Sequence, residues 1–307
     1  MTPSSSHRIG ILKLLMELIS FRNIFLLFII NTTVLVHLIG QTENKTCFIC
    51  KEGIHHPQHA SPYHDFSFKN ELPFVASLVG LTTTSFLIAS PTPLTELDIL
   101  QLDGQTINSF DRYAISKNSK RAQQWSDYFL FGVAVLPTVF LSNHHTRKDI
   151  FPLLFMTVEV VGLNVALTSI TKKLASRTRP LVYNPAFPLE DKITENARVS
   201  FFSGHTSHTA ALSFFSAKVM VDYHPEAKAG VKAGIWAFAA SIPAVTGYLR
   251  VRAGKHFPTD TIVGYLVGGL VGIVIPTLHK PHHHGLAKRI KIQPALGIGM
   301  ASVRVSF

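Results

Sequence analysis

The sequence predicts an all-α fold: a helical bundle and polytopic membrane protein with about five or six spans, plus a short strand-like C-terminal tail. Three observations carry this reading. Apolar residues make up 47% of the 307 positions and charged residues only 15%, and the mean hydropathy of +0.25 falls between that of a soluble protein and that of a densely hydrophobic transporter. Apolar blocks recur at 128–141, 151–170, 206–221, 233–248 and 261–275. Basic residues gather in the connections between them, as they do in the loops of membrane proteins.

Arg8, Lys13 and Arg22 precede a mostly apolar run from Ile24 to Gly40. A charged region before an apolar one makes residues 1–40 a signal peptide or an N-terminal anchor. Cys47 and Cys50 are the only cysteines. No strand-helix-strand pattern surrounds them, so a local disulfide or two idle thiols fits better than a thioredoxin-like pair.

Residues 41–125 read as an exported polar and amphipathic segment. Its first part carries His55, His56, His59 and His64. These histidines, His144-His145 and His282 to His284 lack Cys or carboxylate companions at ligand spacing, so they read as solvated loop residues and no metal site is assigned. Phe74 to Ser90 is apolar until Pro91 and Pro93 stop it, which suits a helix lying on or dipping into a bilayer. Leu97, Leu100, Ile107, Phe110 and Ala114 then recur at roughly helical spacing and predict amphipathic helices up to Gln124.

Residues 126–280 form the predicted core, with Ser126-Asp127 as the N-cap of its first apolar block. Several blocks reach the roughly 20 residues of a bilayer span only by recruiting their flanks, so a soluble exported form stays open. Arg147 and Lys148 on one side, and Lys280, Lys288, Arg289 and Lys291 on the other, are the basic connections. The positive-inside tendency puts both in the cytoplasm, and alternation then puts the segments at Lys172, His205 and His256 on the extracytoplasmic face. That scheme requires Phe74 to Ser90 not to cross. In the tail, residues 281–307, Ile290 and Ile292 alternate with Lys291 and Gln293, and Val303 and Val305 with Arg304 and Ser306, a strand-like period that cannot by itself close a barrel.

The net charge of +11 points to anionic partners such as phosphate esters or anionic lipid surfaces. Nucleic acid is the weakest reading, because zinc-finger spacing, an aromatic-basic RNA signature and long basic runs are all missing. Three short segments concentrate the chemistry. The first runs from Lys172 through Arg177 to Arg179-Pro180 at the end of an apolar helix, where a guanidinium fork matches two phosphate oxygens and a lysine adds a compact charge. The second is Ser203-Gly204-His205 before a helix, where unpaired backbone N–H groups and the helix dipole favour an oxyanion. The third runs from Arg250 through His256 to Asp260, where a carboxylate can orient an imidazole that is a competent nucleophile toward phosphorus. Each taken alone also has a purely structural reading: a basic collar, a capping serine, a His–Asp pair beside a helix cap.

Together the three segments resemble the three-part signature of the type-2 phosphatidic acid phosphatase superfamily, which also contains bacterial acid phosphatases and vanadium haloperoxidases. Lys172, six residues, then Arg179-Pro180 matches the first part; Ser203-Gly204-His205 the second; Arg250, five residues, His256, three residues, then Asp260 the third. Phe202 stands where the family usually has Pro and Leu249 where Ser is common, and neither change removes a reacting side chain. The resemblance covers roughly residues 126–280. It implies that His256 attacks phosphorus, Asp260 orients it, and His205 protonates the leaving group. It further implies that Lys172, Arg179, Ser203, Gly204 and Arg250 hold the phosphate oxygens with no metal or other cofactor. The implied activity is a metal-independent phosphatase acting on a phosphate monoester or pyrophosphate, most naturally of a lipid in a membrane. A soluble periplasmic acid phosphatase and a vanadium-dependent haloperoxidase share the same cradle and remain alternatives.

Overall fold

Capping residues, more than apolar periodicity, decide where the helices begin. The structure is a computed structural model that describes residues 61–63, 67–141, 144–280, 291–297 and 300–306. The readings made for residues 1–40, for Cys47 and Cys50, and for His55, His56, His59, His64 and His282 to His284 lie outside the described residues.

Helix α1 spans Phe68–Leu87. The stretch to Gln124, expected as amphipathic helices, is instead broken into short turns. Thr95 and Asp98 form a capping box for α2 (Glu96–Leu100), Asp103 caps a single 3-10 turn, and Asn108 caps α3 (Ser109–Arg112). Each of these side chains offers the backbone a local hydrogen bond that restarts the chain direction. Ser119 then caps α4 (Lys120–Ala134), which corrects the expected N-cap at Ser126-Asp127: both lie in mid-helix. The block 128–141 is not one helix either. It passes into a 3-10 segment, Leu136–Leu141, around Pro137, whose missing N–H cannot continue an α-helical ladder.

The remaining long helices match the expected blocks. After the short α5 (His144–Lys148) come α6 (Ile150–Ala175), α7 (Pro180–Tyr183), α8 (Leu189–Lys192), α9 (Gly204–Tyr223), α10 (Ala229–Arg252) and α11 (Pro258–Leu278). The segments Ile150–Tyr183, Ala229–Arg252 and Pro258–Leu278 hold helices long and apolar enough to cross a membrane by length and composition. Phe238, Val245, Ile262, Leu266 and Leu270 are exposed on the outer faces of α10 and α11, at a spacing that gives a bilayer a continuous apolar stripe. The tail is a hairpin: β1 (Lys291–Gly297) pairs antiparallel with β2 (Met300–Ser306), Lys291 opposite Ser306 and Gly297 opposite Met300.

Helix α9 sits among α4, α6, α10 and α11. Its interior is small and hydroxyl-rich, with Thr206, Ser207, Thr209, Ala210, Ala211 and Ser213 all buried, and Ser207 donates to Asn164 of α6 at 2.6 Å. Small side chains let helix backbones approach. The approach is closest to α11, where a Cβ at Gly264, Gly268 or Gly272 would fall 2.6, 2.0 or 2.3 Å from the carbonyl oxygens of Ser203, Ser207 and Ala211. At the other end of the same helices, Phe140, Leu153, Met156, Val160, Phe215, Val219, Val271 and Ile275 form the main apolar core.

Candidate active site

The ends of four helices converge at one end of the bundle. Lys172 lies in the last turn of α6, Ser203 is the N-cap and Gly204 the first residue of α9, Arg250 is in the last turn of α10, and Asp260 is in the first turn of α11. His256 sits in the link between α10 and α11 with 1% of its surface exposed. Bonds to backbone carbonyls bring the three motifs into register: Ser203 N donates to the Asp260 carbonyl at 3.0 Å, and the Arg179 side-chain Nη1 donates to the Lys255 carbonyl at 3.2 Å. A Cβ at Gly204 would come within 3.4 Å of Lys172 Nζ, so the glycine leaves the ammonium room beside the helix N-terminus.

The two arginines are held by specific partners. Arg179 is buried, with Nε on the Asn196 carbonyl at 2.7 Å and Nη2 on Asn196 Oδ1 at 2.8 Å. Arg250 donates through Nη1 to Ser126 Oγ at 3.3 Å. Ser203 is a capping residue, its hydroxyl 2.9 Å from Thr206 Oγ1. Burial, and then Arg179, Arg250, Lys172 and His205, hold the His256 imidazole well below the ordinary histidine range. Desolvation and like charge both disfavour an imidazolium there, so the ring is neutral at pH 7.

Two contacts differ from those expected. The Asp260 carboxylate was expected to hydrogen-bond His256, but Oδ2 lies 3.6 Å from Nδ1, beyond hydrogen-bond reach. Asp260 is occupied elsewhere: Oδ2 accepts from Ser200 Oγ at 2.5 Å and from Phe257 N at 2.9 Å, and Oδ1 from Arg177 Nη1 at 2.5 Å. Arg177, placed outside the three-part signature, is thus the main partner of Asp260. Its other nitrogen, Nη2, binds buried Asp111 at 2.7 Å, and Asp111 in turn accepts from Thr259 N and Thr259 Oγ1. The guanidinium also lies over the Phe257 ring at 4.2 Å. The second difference is at His205, whose Nε2 is 2.9 Å from Asp127 Oδ1, the same oxygen that lies 3.5 Å from Arg250 Nη1. Sequence reasoning placed Asp127 at a cap and left Asp111 unmarked, since their partners at the site, His205 and Arg177, lie far away in the chain.

An all-α bundle that gathers a neutral buried imidazole, three cations and a helix N-terminus at one point defines a class of protein built to handle an anionic, tetrahedral group. The class has a counterpart among known families: residues 153–283 match the model of the PAP2 superfamily. A lipid A 4'-phosphatase of Bacteroides thetaiotaomicron is 25% identical over 171 residues, covering 54% of this chain and 71% of that protein. Among solved structures, a transmembrane PAP2-type phosphatidylglycerolphosphate phosphatase from Bacillus subtilis matches with a TM-score of 0.41 and 18% identity. It covers 68% of this chain and 94% of its own. LpxE from Aquifex aeolicus matches with a TM-score of 0.34 and 26% identity, over 52% of this chain and 87% of its own.

Proposed function

We propose that this protein is a membrane lipid phosphatase that removes phosphate through a phosphohistidine on His256, with no metal ion in the chemical step. The observation that carries the reading is the neutral, buried His256 among Lys172, Arg179 and Arg250. In this reading His256 attacks phosphorus through Nε2, the nitrogen away from Asp260. The ester P–O bond breaks as the N–P bond forms, and His205 gives its proton to the departing alkoxide. The three cations and the N–H groups at Gly204 take up the charge on the equatorial oxygens, the task that a metal ion performs in other phosphotransfer sites. Water then cleaves the N–P bond and His205 recovers a proton. Asp127 holds the His205 ring, and Asp260 steadies the charge that His256 gains.

A lipid substrate is supported by the surface beside the site. An apolar groove of about 520 Å³ lies between α4 and α10, lined by Trp125, Tyr128, Phe129, Val133, Phe238 and Ile242 among others. It offers an acyl chain an apolar surface along α4 and α10, the helices that carry Asp127 and Arg250. The direct test is phosphate release from a panel of lipid and soluble esters in detergent, with acid-labile, base-stable label on the protein as the sign of phosphohistidine. Preference for soluble esters over every lipid would defeat the lipid assignment, and absence of labelled protein under rapid quench would defeat the covalent one. Vanadate, which mimics five-coordinate phosphorus, is expected to inhibit competitively.

Arg177 gives a sharper prediction. Arg177→Ala releases the Asp260 carboxylate from its fixed position, and a misplacement of about 1 Å costs on the order of 10²-fold in kcat. It also removes the cation that balances Asp260, so the imidazolium of His256 becomes less unfavourable and the acid limb of the pH–rate profile moves to higher pH. Asp111→Asn removes a negative charge beside Arg177 and should move the same limb the opposite way, to lower pH. A fall in rate with an unmoved profile would reduce both residues to a structural role.

The active site is assigned to the extracytoplasmic face. Arg147, Lys148 and Lys280 adjoin the helix ends opposite the site, where the positive-inside tendency favours cytoplasm. With Cys47 and Cys50 removed, Glu190→Cys should react with a membrane-impermeant thiol reagent in intact cells and Lys280→Cys should not. The reverse pattern would place the site in the cytoplasm, and release of the chain by osmotic shock would show a soluble exported enzyme.

A further inference from the structure

At the end of the bundle away from His256, three buried donors from three helices meet. Glu71 lies in the first turn of α1, Glu159 in α6, and His279 at the C-terminus of α11; they are 2%, 3% and 3% exposed. Helix α11, with Asp260 in its first turn and His279 just past its end, is about 30 Å long at 1.5 Å per residue, so this cluster is remote from the chemistry.

The histidine settles what the cluster can hold. Its Nδ1 is 2.8 Å from the Ile275 carbonyl, which can only accept, so Nδ1 carries the hydrogen and Nε2 offers its lone pair once a cation takes the place of the proton between the carboxylates. That lone pair points between Glu71 Oε2 at 3.0 Å and Glu159 Oε2 at 3.2 Å, and one ligand atom from each residue lies within 4.8 Å of the others. Metal bonds of about 2.0–2.1 Å in a tetrahedral site put neighbouring ligand atoms about 3.3 Å apart, close to the spacing seen. Donation of the second ring N–H to a backbone carbonyl is how ligating histidines are usually oriented. The Phe74 ring, 4.9 Å from the imidazole, fixes its plane further. A cavity of about 60 Å³ between α1, α6 and α11 borders Glu159.

We propose that Glu71, Glu159 and His279 form a second, structural metal site for a divalent cation of the zinc class. One imidazole and two carboxylates suit a borderline ion, and together with it they form a neutral unit that can be buried. The ion clips α1 to α6 and α11, joining a helix outside the family-matched segment to the bundle. Its role is separate from hydrolysis, so its test does not use activity.

Full-length protein extracted without chelators should carry about one equivalent of zinc per chain by mass spectrometry of the metal. His279→Gln and Glu159→Gln should each lose that equivalent. Wild-type protein stripped of metal should regain thermal stability as zinc is added, the rise in melting temperature saturating at one equivalent. If wild type binds no metal and its melting temperature is indifferent to added zinc, the cluster is an imidazolium shared by two carboxylates and the proposal fails. It fails also if a folded His279→Gln protein keeps the full equivalent. The wild-type titration decides the matter even where a variant does not fold.

Discussion

His256→Ala is expected to abolish phosphoenzyme formation and turnover together, a loss of at least about 10⁴-fold in kcat, since removing a nucleophile leaves only binding and electrostatic assistance. Single-turnover quench with labelled lipid phosphate checks both readouts in one experiment. The wild-type pH profile carries a second expectation. Burial and the surrounding cations keep His256 unprotonated below the ordinary histidine range, so the nucleophile stays available as pH falls through about 6.5. For stability the sign is the same as for any buried neutral histidine. The contribution is present above the unfolded value of about 6.5 and is lost as pH falls toward the folded one, because the unfolded chain takes up the proton first. Full activity in His256→Ala would sink the mechanism.

His205→Ala separates the acid from the nucleophile. With an alkyl phosphate, whose leaving group needs a proton, kcat should fall by about 10²–10⁴-fold; with nitrophenyl phosphate, whose leaving group is stable as an anion, phosphorylation should be largely spared. Asp127→Asn should show the same dependence on leaving group in weaker form, because burial and Arg250 lower the pKa of the His205 imidazole and the carboxylate 2.9 Å from its Nε2 offsets them. Equal losses on both substrates would show that His205 binds phosphate without delivering a proton.

The convergence of the candidate site residues was legible in the sequence because each sits at a helix end, where local spacing is also spatial spacing. Lys172 and Arg179 share one helix exit, Ser203 to His205 one helix entry, and Arg250 to Asp260 one helix-to-helix link. The supporting contacts were not legible, since they join residues far apart in the chain: Asp111 with Arg177, Asp127 with His205, and Glu71 with His279. Asp260 shows the limit from the other side. Its spacing of four from His256 suggested a direct bond, and three nearer donors took the carboxylate instead. The long helices after residue 150 followed from apolar content. The region from Glu96 to Leu141 did not, because capping side chains and Pro137 outweigh the periodicity there.

The bond between Arg177 and Asp111 bears on how this enzyme can be cut or transplanted. Asp111 lies some forty residues before the family-matched segment begins at 153, yet it anchors the arginine that holds Asp260. Asp127 also lies before that segment and touches His205. A fragment trimmed to residues 153–283 would therefore contain every residue of the three-part signature and still lack the carboxylates that set two of them in place. Chimeras that exchange the segment between relatives inherit the same dependence: the donor of the motifs must bring its own 111 and 127 partners, or the recipient must already supply them.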